Sequence, residues 1–216
     1  MDNTSREELW AAVEDFDAEV AETVIAQLFW DVPLSAAVVG VVLPFLQEVG
    51  DRWEAGTLSV AHEHFVSDLL RRKLWALASV PPQRGPDDAT TPSPVVLLAC
   101  PAGERHDMVL LCVALMLRER GARVRFLGAD TPIPAILGAA RASGAEAVVL
   151  AATRSTAFTA HATTLRRLAQ QHPLYAAGRG ADEQTVAEIG ATALPEDPGR
   201  AVVFLVGALS RLSGSW

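Results

Sequence analysis

The stretch Trp53–His64, WEAGTLSVAHEH, gathers one indole, two carboxylates and two imidazoles around a single turn. Imidazoles and carboxylates are side chains that commonly ligate metals or transfer protons. His62 and His64 are two positions apart in a helical pattern, so their side chains diverge by roughly 200° and cannot chelate one ion. A self-contained metal site is therefore not predicted. Three alternatives remain for this stretch. It could be a catalytic cluster, a lid over a ligand that is held elsewhere, or a corner between two helices that happens to carry polar side chains.

A second polar motif, GERHDM (Gly103–Met108), follows a short apolar run. Glu104 lies two residues before His106, and Asp107 lies one residue after it. A carboxylate that accepts one imidazole N–H fixes the tautomer and makes the other ring nitrogen a better ligand. His106 is therefore a candidate metal ligand, and a surface loop whose charges cap the next helix is the alternative interpretation.

Other chemical patterns are weak. The spacing of Cys100, His106 and Cys112 matches no structural zinc pattern, and Cys112 falls inside an apolar helical stretch. Neither the G-x-S-x-G nucleophile elbow nor the G-x-G-x-x-G dinucleotide fingerprint occurs in the sequence. We therefore assign no catalytic residue and expect a protein that is not an enzyme.

Composition narrows the class of protein. The chain has 216 residues, 50% of them hydrophobic, and 18 basic against 26 acidic side chains give a net charge of −8. This balance argues against a general nucleic-acid partner. The 2 cysteines form no disulfide framework and suit a reducing, cytoplasmic location. The N-terminus lacks an apolar signal core, and the longest apolar run, near Pro33–Leu46, is predicted to be too short to span a bilayer.

Residues 1–80 carry helical spacing of apolar side chains and predict a helical bundle. Asp17 marks a break in the first pattern, and a further helix is predicted from Ser35 to about Trp53. Ser59 caps a last helix that runs to about Ser79. Residues 81–94, rich in Pro, Asp and Thr, predict a linker.

Residues 95–216 alternate short apolar strands with helices, which predicts a parallel sheet with right-handed crossovers. Ligands of such sheets bind beyond the carboxyl ends of the strands, where GERHDM lies. The predicted strands are Val95–Cys100, Val124–Leu127, Ala147–Ala152 and Leu174–Ala177, and the helices between and after them are His106–Arg120, Pro134–Ser143, Phe158–Gln171, Asp182–Ile189 and a last one near the C-terminus.

The helical bundle, the linker and the α/β region with E-x-H after its first strand together resemble the cobalamin-binding modules. The W-x9-E-H spacing of Trp53, Glu63 and His64 is more specific and resembles the light-sensing cobalamin module of the CarH-type transcriptional regulators. GERHDM and RVRFLGADTPI (Arg123–Ile133) are similar to that family as well. The resemblance implies a four-helix bundle followed by a Rossmann-like, five-stranded parallel sheet.

The same resemblance implies roles for particular residues. His106 is the implied lower axial ligand of cobalt, and Trp53, Glu63 and His64 are implied to cover the upper face, where the family holds a 5′-deoxyadenosyl group. Cobalamin, with adenosylcobalamin favoured, is the implied cofactor, and light is the implied signal. Further implied cofactor-binding residues are Glu104, Arg105, Asp107, Val109, Thr153 and Gly178.

Four positions depart from the family pattern. Val109 replaces a glycine that leaves room for the nucleotide tail. The third strand ends in Ala151-Ala152-Thr153, where the family commonly has a serine that faces the buried tail and for which Thr153 can substitute. Ala177 replaces the first glycine of a Gly-Gly pair. These changes motivate a variant pocket for a bilin such as biliverdin, or for haem, with or instead of cobalamin. Glu54 replaces a histidine that captures cobalt after photolysis, which leaves His62, His64 or water for that role.

Three functions remain as hypotheses. The first is a tetrapyrrole sensor of cobalamin and light, and the second is a corrinoid carrier of a methyltransferase system. The lid of Trp53, Glu63 and His64 argues against a carrier, which must open its upper face to partner enzymes. The third is an interaction module without a ligand. Because the chain starts at the bundle, we expect output through a protein partner or self-association, without direct contact to nucleic acid or membrane.

Overall fold

The computed structural model describes residues 3–30, 32–78 and 93–213. The chain divides into two compact units, Met1–Pro81 and Pro82–Trp216, and each is described by itself. Residues 81–92 of the predicted linker lie outside the described residues.

The first unit is helical, as predicted from the spacing of its apolar side chains. Asp17 separates the first two helices and caps the second, because its carboxylate accepts from the backbone N–H of Val20 at 3.1 Å. Ser59 caps the last helix in the same way, accepting from the backbone N–H of His62 at 3.3 Å. The helices are α1 (Asn3–Glu14), α2 (Ala18–Gln27), α3 (Leu34–Ala37), α4 (Leu43–Glu54) and α5 (Val60–Ala78), with a π-helical turn (Val38–Val42) between α3 and α4.

The π turn joins α3 and α4 into one continuous helix, Leu34–Glu54. It lies directly before Pro44, which has no N–H for a regular helical bond and whose ring crowds the preceding turn. This helix of 21 residues, with a mean hydropathy of 1.4, passes a length and composition test for a membrane span, and 28% of its apolar window is buried in the fold. It is longer than the apolar run near Pro33–Leu46, which was predicted to be too short to span a bilayer, although the core helix of a soluble protein passes the same test.

The second unit is the predicted Rossmann-like domain. Its sheet is entirely parallel, with the order β2-β1-β3-β4-β5. β1 is buried along its whole length, as expected of a central strand covered on both faces. The strands are β1 (Val95–Pro101), β2 (Arg123–Thr131), β3 (Ala147–Ala151), β4 (Leu174–Ala177) and β5 (Thr192–Ala193), and the helices are α6 (Met108–Glu119), α7 (Ile133–Ser143), α8 (Thr156–Thr159), α9 (Ala162–Ala169), α10 (Glu183–Ile189) and α11 (Pro198–Ser213).

Three details differ from the strands and helices that the sequence predicted. β2 continues past Leu127 to Thr131, because irregular pairing with β1 carries the strand over Gly128 and Asp130. The helix predicted over Phe158–Gln171 is two helices, α8 and α9. The fifth strand has only two residues, too few to give an alternating pattern in the sequence.

The strand order places a topological switch point between β1 and β3, since the chain leaves β1 towards β2 on one side and returns to β3 on the other. The loops that follow these two strands contain GERHDM and Thr153. The fold therefore brings the second sequence motif to the crevice where open α/β sheets bind ligands.

Candidate functional site

The loop between β1 and α6 is fastened to the end of β2. The backbone N–H of Gly103 donates to Asp130 Oδ1 at 2.7 Å, and the backbone N–H of Asp130 donates to the carbonyl of Glu104 at 2.8 Å. Asp130 adopts a left-handed conformation (φ 50°), which aspartate tolerates better than most residues. These two hydrogen bonds fix the backbone of the loop that carries Glu104 and His106.

Glu104 is the centre of the site and is 3% exposed. Its Oε2 accepts from the backbone N–H and the hydroxyl of Thr153, both at 2.6 Å. Its Oε1 accepts from the backbone N–H of His106 at 2.9 Å and contacts His106 Nδ1 at 2.5 Å. One carboxylate therefore connects the loop after β1 to the loop after β3 across the switch point.

The charge state of Glu104 follows from these contacts. Burial is the largest influence and would raise its pKa, but the bonds from Thr153 and His106 together outweigh it and lower the pKa from 4.5 to about 2. An ionised carboxylate can only accept hydrogen bonds, so Nδ1 of His106 must donate to it. In the neutral ring Nε2 then carries the free lone pair.

The His106 side chain is 69% exposed although its Glu104 partner is buried. The ring is held through one nitrogen and presents the other outwards. Imidazole nitrogen suits cobalt among the transition metals, and a carboxylate behind a ligating histidine is the usual supporting arrangement. The donor set therefore fits an axial imidazole ligand of cobalt.

The cysteines do not extend this donor set. Cys100 and Cys112 are both buried, and burial raises the pKa of the Cys112 thiol to about 12, which keeps it protonated. The Cys100 thiol faces the carbonyl of His106 at 3.8 Å and acts as support for the loop. Over residues 3–30, 32–78 and 93–213, no group of three His, Cys, Asp or Glu side chains is placed to hold a metal ion.

The remaining loop residues have different environments. Arg105 is exposed, and Asp107 is 4% exposed beneath the start of α6. A side chain at Gly128 would meet the Asp107 carboxylate at 3.3 Å, so β2 packs directly against this carboxylate. Val109 is 45% exposed in the first turn of α6, so its isopropyl group is available to a ligand at the His106 loop.

Gly178 has a local structural reason to be glycine. It has φ 84°, and a Cβ there would lie 2.4 Å from the carbonyl oxygen of Ala152. At Gly180 a Cβ would lie 2.4 Å from the carbonyl carbon of Arg154, and the N–H of Gly180 donates to the Ala152 carbonyl at 3.0 Å. The loops after β3 and β4 are therefore pressed together, which sets the position of Thr153 at the edge of the sheet.

In the helical unit, the turn from α4 to α5 carries the first sequence motif. Trp53 is 49% exposed near the end of α4, while Glu63 and His64 are in the first turns of α5. Ser67 donates to Glu63 Oε1 at 2.7 Å, and Glu63 Oε2 lies 3.5 Å from His64 Nε2. The His64 side chain is 76% exposed and the Glu63 side chain 30%, so His64 and Trp53 are the more accessible of the three residues.

His62 is used differently from His64. Its ring stacks on Phe16 with centroids 4.3 Å apart, and Nε2 reaches the carbonyl of Glu14 at 3.3 Å. A carbonyl only accepts, so Nε2 donates to it, and in the neutral ring Nδ1 accepts from the Ser59 hydroxyl at 2.6 Å. Both nitrogens of His62 therefore hold the corner between α1 and α2.

Sequence reasoning missed the structural role of Asp130. The residue stood inside the motif RVRFLGADTPI and at a strand end, but nothing in its spacing reveals that its side chain turns back to Gly103. Thr153 was identified for its place near a family serine, and the structure adds its two bonds to Glu104.

These features define a class of protein: a helical unit followed by a parallel α/β domain that presents one oriented imidazole at its switch point. Two family models, each described as a B12 binding domain, match residues 5–78 and 94–205. The chain belongs to this B12-binding family.

The relatives include two from Myxococcus xanthus. The chain is 35% identical over 186 residues to HTH-type transcriptional repressor CarA (82% of this chain, 59% of CarA) and 35% identical over 170 residues to HTH-type transcriptional repressor CarH (79% and 54%). It is also 28% identical over 111 residues to dimethylamine corrinoid protein 3 of Methanosarcina mazei (51% and 65%). The chain thus spans a little over half the length of the two repressors.

Among solved structures, the monomethylamine corrinoid protein of Methanosarcina barkeri has a TM-score of 0.66 at 18% identity, covering 93% of this chain and 96% of that one. A cobalamin-binding protein of Desulfitobacterium hafniense has a TM-score of 0.50 at 19% identity, covering 91% and 95%. These likenesses confirm the fold that the sequence resemblance implied.

Proposed function

We propose that this chain is a corrinoid-based light sensor that signals through a protein partner or through self-association. The observation that carries the proposal is the buried Glu104 carboxylate, which orients His106 and leaves its Nε2 exposed. Similarity to two transcriptional repressors over most of the chain favours signalling over enzymatic turnover.

In this proposal His106 Nε2 is the lower axial ligand, and Glu104 and Thr153 hold its ring in place. Adenosylcobalamin supplies a cobalt–carbon bond that light can break. Arg105, Val109 and Gly178 are proposed to lie beside the cofactor on the α/β unit, whereas the Asp107 carboxylate is buried beneath α6 and would support the loop from inside.

Trp53, Glu63 and His64 are proposed to cover the upper face of the cofactor. The exposure of Trp53 and His64 supports this role, since a cap must keep apolar and polar surface available for its ligand. Because the nitrogens of His62 are both engaged, His64 is the better candidate for a second imidazole near the cofactor. A cytoplasmic location belongs to the same proposal.

A corrinoid carrier for methyl transfer is the second candidate. The likeness to dimethylamine corrinoid protein 3 favours it, although that match covers 51% of this chain. The two candidates differ in what they require of the cap: a carrier exchanges its methyl group with a partner enzyme, whereas a sensor changes only on illumination.

The test is to mix the purified chain with adenosylcobalamin in the dark, remove free cofactor by gel filtration, and record absorption spectra before and after green light. We expect a retained cofactor spectrum that changes on illumination. Retention of methylcobalamin with transfer of its methyl group to a thiol acceptor would favour the carrier instead.

Two variants test the proposed contacts on the two faces of the cofactor, His106→Ala on the lower face and Trp53→Ala on the upper face. His106→Ala is expected to remove the spectrum of a histidine-ligated cobalamin, with His161→Ala as the control histidine. Trp53→Ala is expected to alter the adenosyl form more than the methyl form, because only the larger group needs the cap. A parallel titration with biliverdin and haem tests the variant pocket that Val109, Ala151 and Ala177 motivated.

A further inference from the structure

The pairing of β1 with β2 becomes irregular where the two strands end. The register shifts between Leu98 and Ala99 and again between Ala99 and Pro101. Irregular pairing leaves a residue outside the regular ladder and bends the strand. The position of the loop that follows, with Glu104 and His106, therefore depends on hydrogen bonds other than those of the ladder.

Those hydrogen bonds come from Asp130. Pro101–Glu104 form a tight turn, because the Glu104 N–H donates to the Pro101 carbonyl at 3.0 Å and Gly103 has φ 86°. The Asp130 carboxylate accepts from the N–H of Gly103 at 2.7 Å, and the Asp130 N–H donates to the carbonyl of Glu104 at 2.8 Å. One residue of β2 thus holds neighbouring residues of the turn, through its side chain and through its backbone.

The conformation of position 130 shows what its side chain contributes. The backbone there is left-handed, with φ 50°. Glycine adopts this conformation without steric cost, whereas aspartate only tolerates it. The backbone bond to Glu104 needs no particular side chain, so a glycine could make it as well. The bond from the carboxylate to Gly103 is therefore the contribution that requires an aspartate.

The turn acts on His106 through Glu104. The backbone N–H of His106 donates to Glu104 Oε1 at 2.9 Å, and the same oxygen contacts Nδ1 of the ring. Glu104 Oε2 is held by Thr153 at 2.6 Å, so the carboxylate itself is fixed. A displacement of the turn backbone must then break the bonds to His106 or tilt its ring.

We propose that Asp130 is a positioning residue for the lower axial ligand: its carboxylate holds the turn after β1 in the conformation that directs His106 Nε2 towards cobalt. Loss of the carboxylate weakens the bond between His106 and cobalt while the fold remains intact. The inference rests on the proposed corrinoid function and names the residue that sets the strength of this ligation.

Two variants of Asp130 and one matched control test the proposal. Asp130→Gly removes the carboxylate and suits the left-handed backbone, whereas Asp130→Asn keeps an oxygen that can accept from Gly103 and is the conservative variant. The control is Asp197→Ala. Asp197 is also exposed and its Oδ1 accepts from the backbone N–H of Arg200 at 2.7 Å, but it follows β5 at the opposite edge of the sheet from β2.

The first measurement is the dissociation constant of cob(II)alamin, obtained by absorbance titration of the full chain. Asp130→Gly is expected to raise it about fivefold, which is the effect of one net hydrogen bond. Asp130→Asn and Asp197→Ala should leave it within about twofold. In a His106→Ala background, Asp130→Gly is expected to change nothing further, because the two residues act through the same bond to cobalt.

The second measurement needs no cofactor. The backbone N–H of His106 donates to Glu104 and not to Asp130, so its rate of exchange with solvent reports how firmly the loop is held. In the ¹H–¹⁵N spectrum of the cofactor-free chain, Asp130→Gly should raise this rate about fivefold, and Asp130→Asn and Asp197→Ala should leave it within about twofold. Urea unfolding of each variant shows whether the whole fold has been weakened.

Two results would overturn the proposal. One is an unchanged exchange rate of the His106 N–H in Asp130→Gly, which means that the carboxylate does not hold the loop. The other is a loss of corrinoid affinity that is equal with and without His106, or equal in Asp197→Ala, which assigns the effect to general destabilisation. A wild-type chain that retains no corrinoid contradicts the proposed function instead, and the exchange rates of the cofactor-free chain then decide the role of Asp130.

Discussion

The loop after β1 and the turn between α4 and α5 both carry histidines, yet they hold them in opposite ways. In the loop, one buried carboxylate fixes His106 through Nδ1 and the ring remains 69% exposed. In the turn, His62 has both nitrogens engaged, while His64 Nε2 lies 3.5 Å from the Glu63 carboxylate and the side chain is 76% exposed.

The two regions therefore differ in how firmly they hold their side chains: the His106 ring is fixed in one orientation, whereas part of the Trp53–His64 turn is exposed. The His106 ring is oriented by bonds that reach the ends of β1, β2 and β3, so little order would have to be created for the cobalt ligation proposed for it. The Trp53–His64 turn is anchored by His62, and within it Trp53 and His64 remain exposed to solvent. A sensor needs both properties, since one region must keep the cofactor while the other responds to it.

Removing the glutamate of each region gives the largest expected contrast. Glu104→Ala leaves the N–H groups of Thr153 and His106 without their buried acceptor, and we expect a loss of about 2–4 kcal/mol in the free energy of unfolding. Glu63→Ala, in the exposed turn, should cost less than about 0.5 kcal/mol. Urea unfolding of both cofactor-free variants measures the difference.

Glu104→Gln serves as the conservative control, because an amide oxygen can still accept from Thr153 but the charge is lost. It is expected to recover part of the stability and to hold His106 less firmly than the wild type. Equal effects of Glu104→Ala and Glu63→Ala would contradict the view that only the first carboxylate is structural.

The second prediction concerns acid. The pKa of Glu104 is lowered from 4.5 to about 2, so the unfolded chain takes up a proton at higher pH than the folded one. Its contribution to stability is therefore complete above about pH 5 and is lost as the pH falls through 4.5 towards 2. Between pH 6 and pH 3 the wild type should lose about 2 kcal/mol more than Glu104→Gln does. Parallel curves for the two proteins would show that the carboxylate carries no such linkage.

The sequence predicted the large features of the fold because they rest on periodic burial. The apolar run of β1, the break at Asp17 and the cap at Ser59 each leave a local pattern, and all three are present in the structure. β5 has two residues and leaves no periodic pattern, so its position could not be predicted from the sequence.

The candidate site was only partly predictable for a related reason. Glu104 and His106 are neighbours in the sequence, and their pairing follows from their spacing. The bonds from Thr153 to Glu104 and from Gly103 to Asp130 join distant parts of the chain, which no local pattern encodes. The family spacing W-x9-E-H pointed to His64, and the structure distinguishes the two histidines by the stacking of His62 on Phe16 and its bonds to Ser59 and Glu14.

The third prediction separates the two bonds that Thr153 makes. Thr153→Val keeps the backbone N–H bond to Glu104 Oε2 and removes the hydroxyl bond, which should cost about 1–1.5 kcal/mol and raise the pKa of Glu104. Thr153→Ser restores the hydroxyl and should restore most of both properties. Urea unfolding and the acid limb of the stability curve measure them, and a serine variant as impaired as the valine variant would assign the effect to packing of the threonine methyl group.

The smallest expected effects distinguish the two histidines of the turn. His62→Ala removes the stack on Phe16, whose backbone has an unfavourable positive φ of 54°, and the bond to Glu14, so it should destabilise the helical unit by roughly 1 kcal/mol. His64→Ala should leave stability within about 0.5 kcal/mol and instead change the spectrum of the illuminated adenosylcobalamin complex. Because the two residues are neighbours on α5, each variant is the control for the other. A destabilised His64→Ala with an unchanged spectrum would reverse the assignment and make His62 the residue that meets the cofactor.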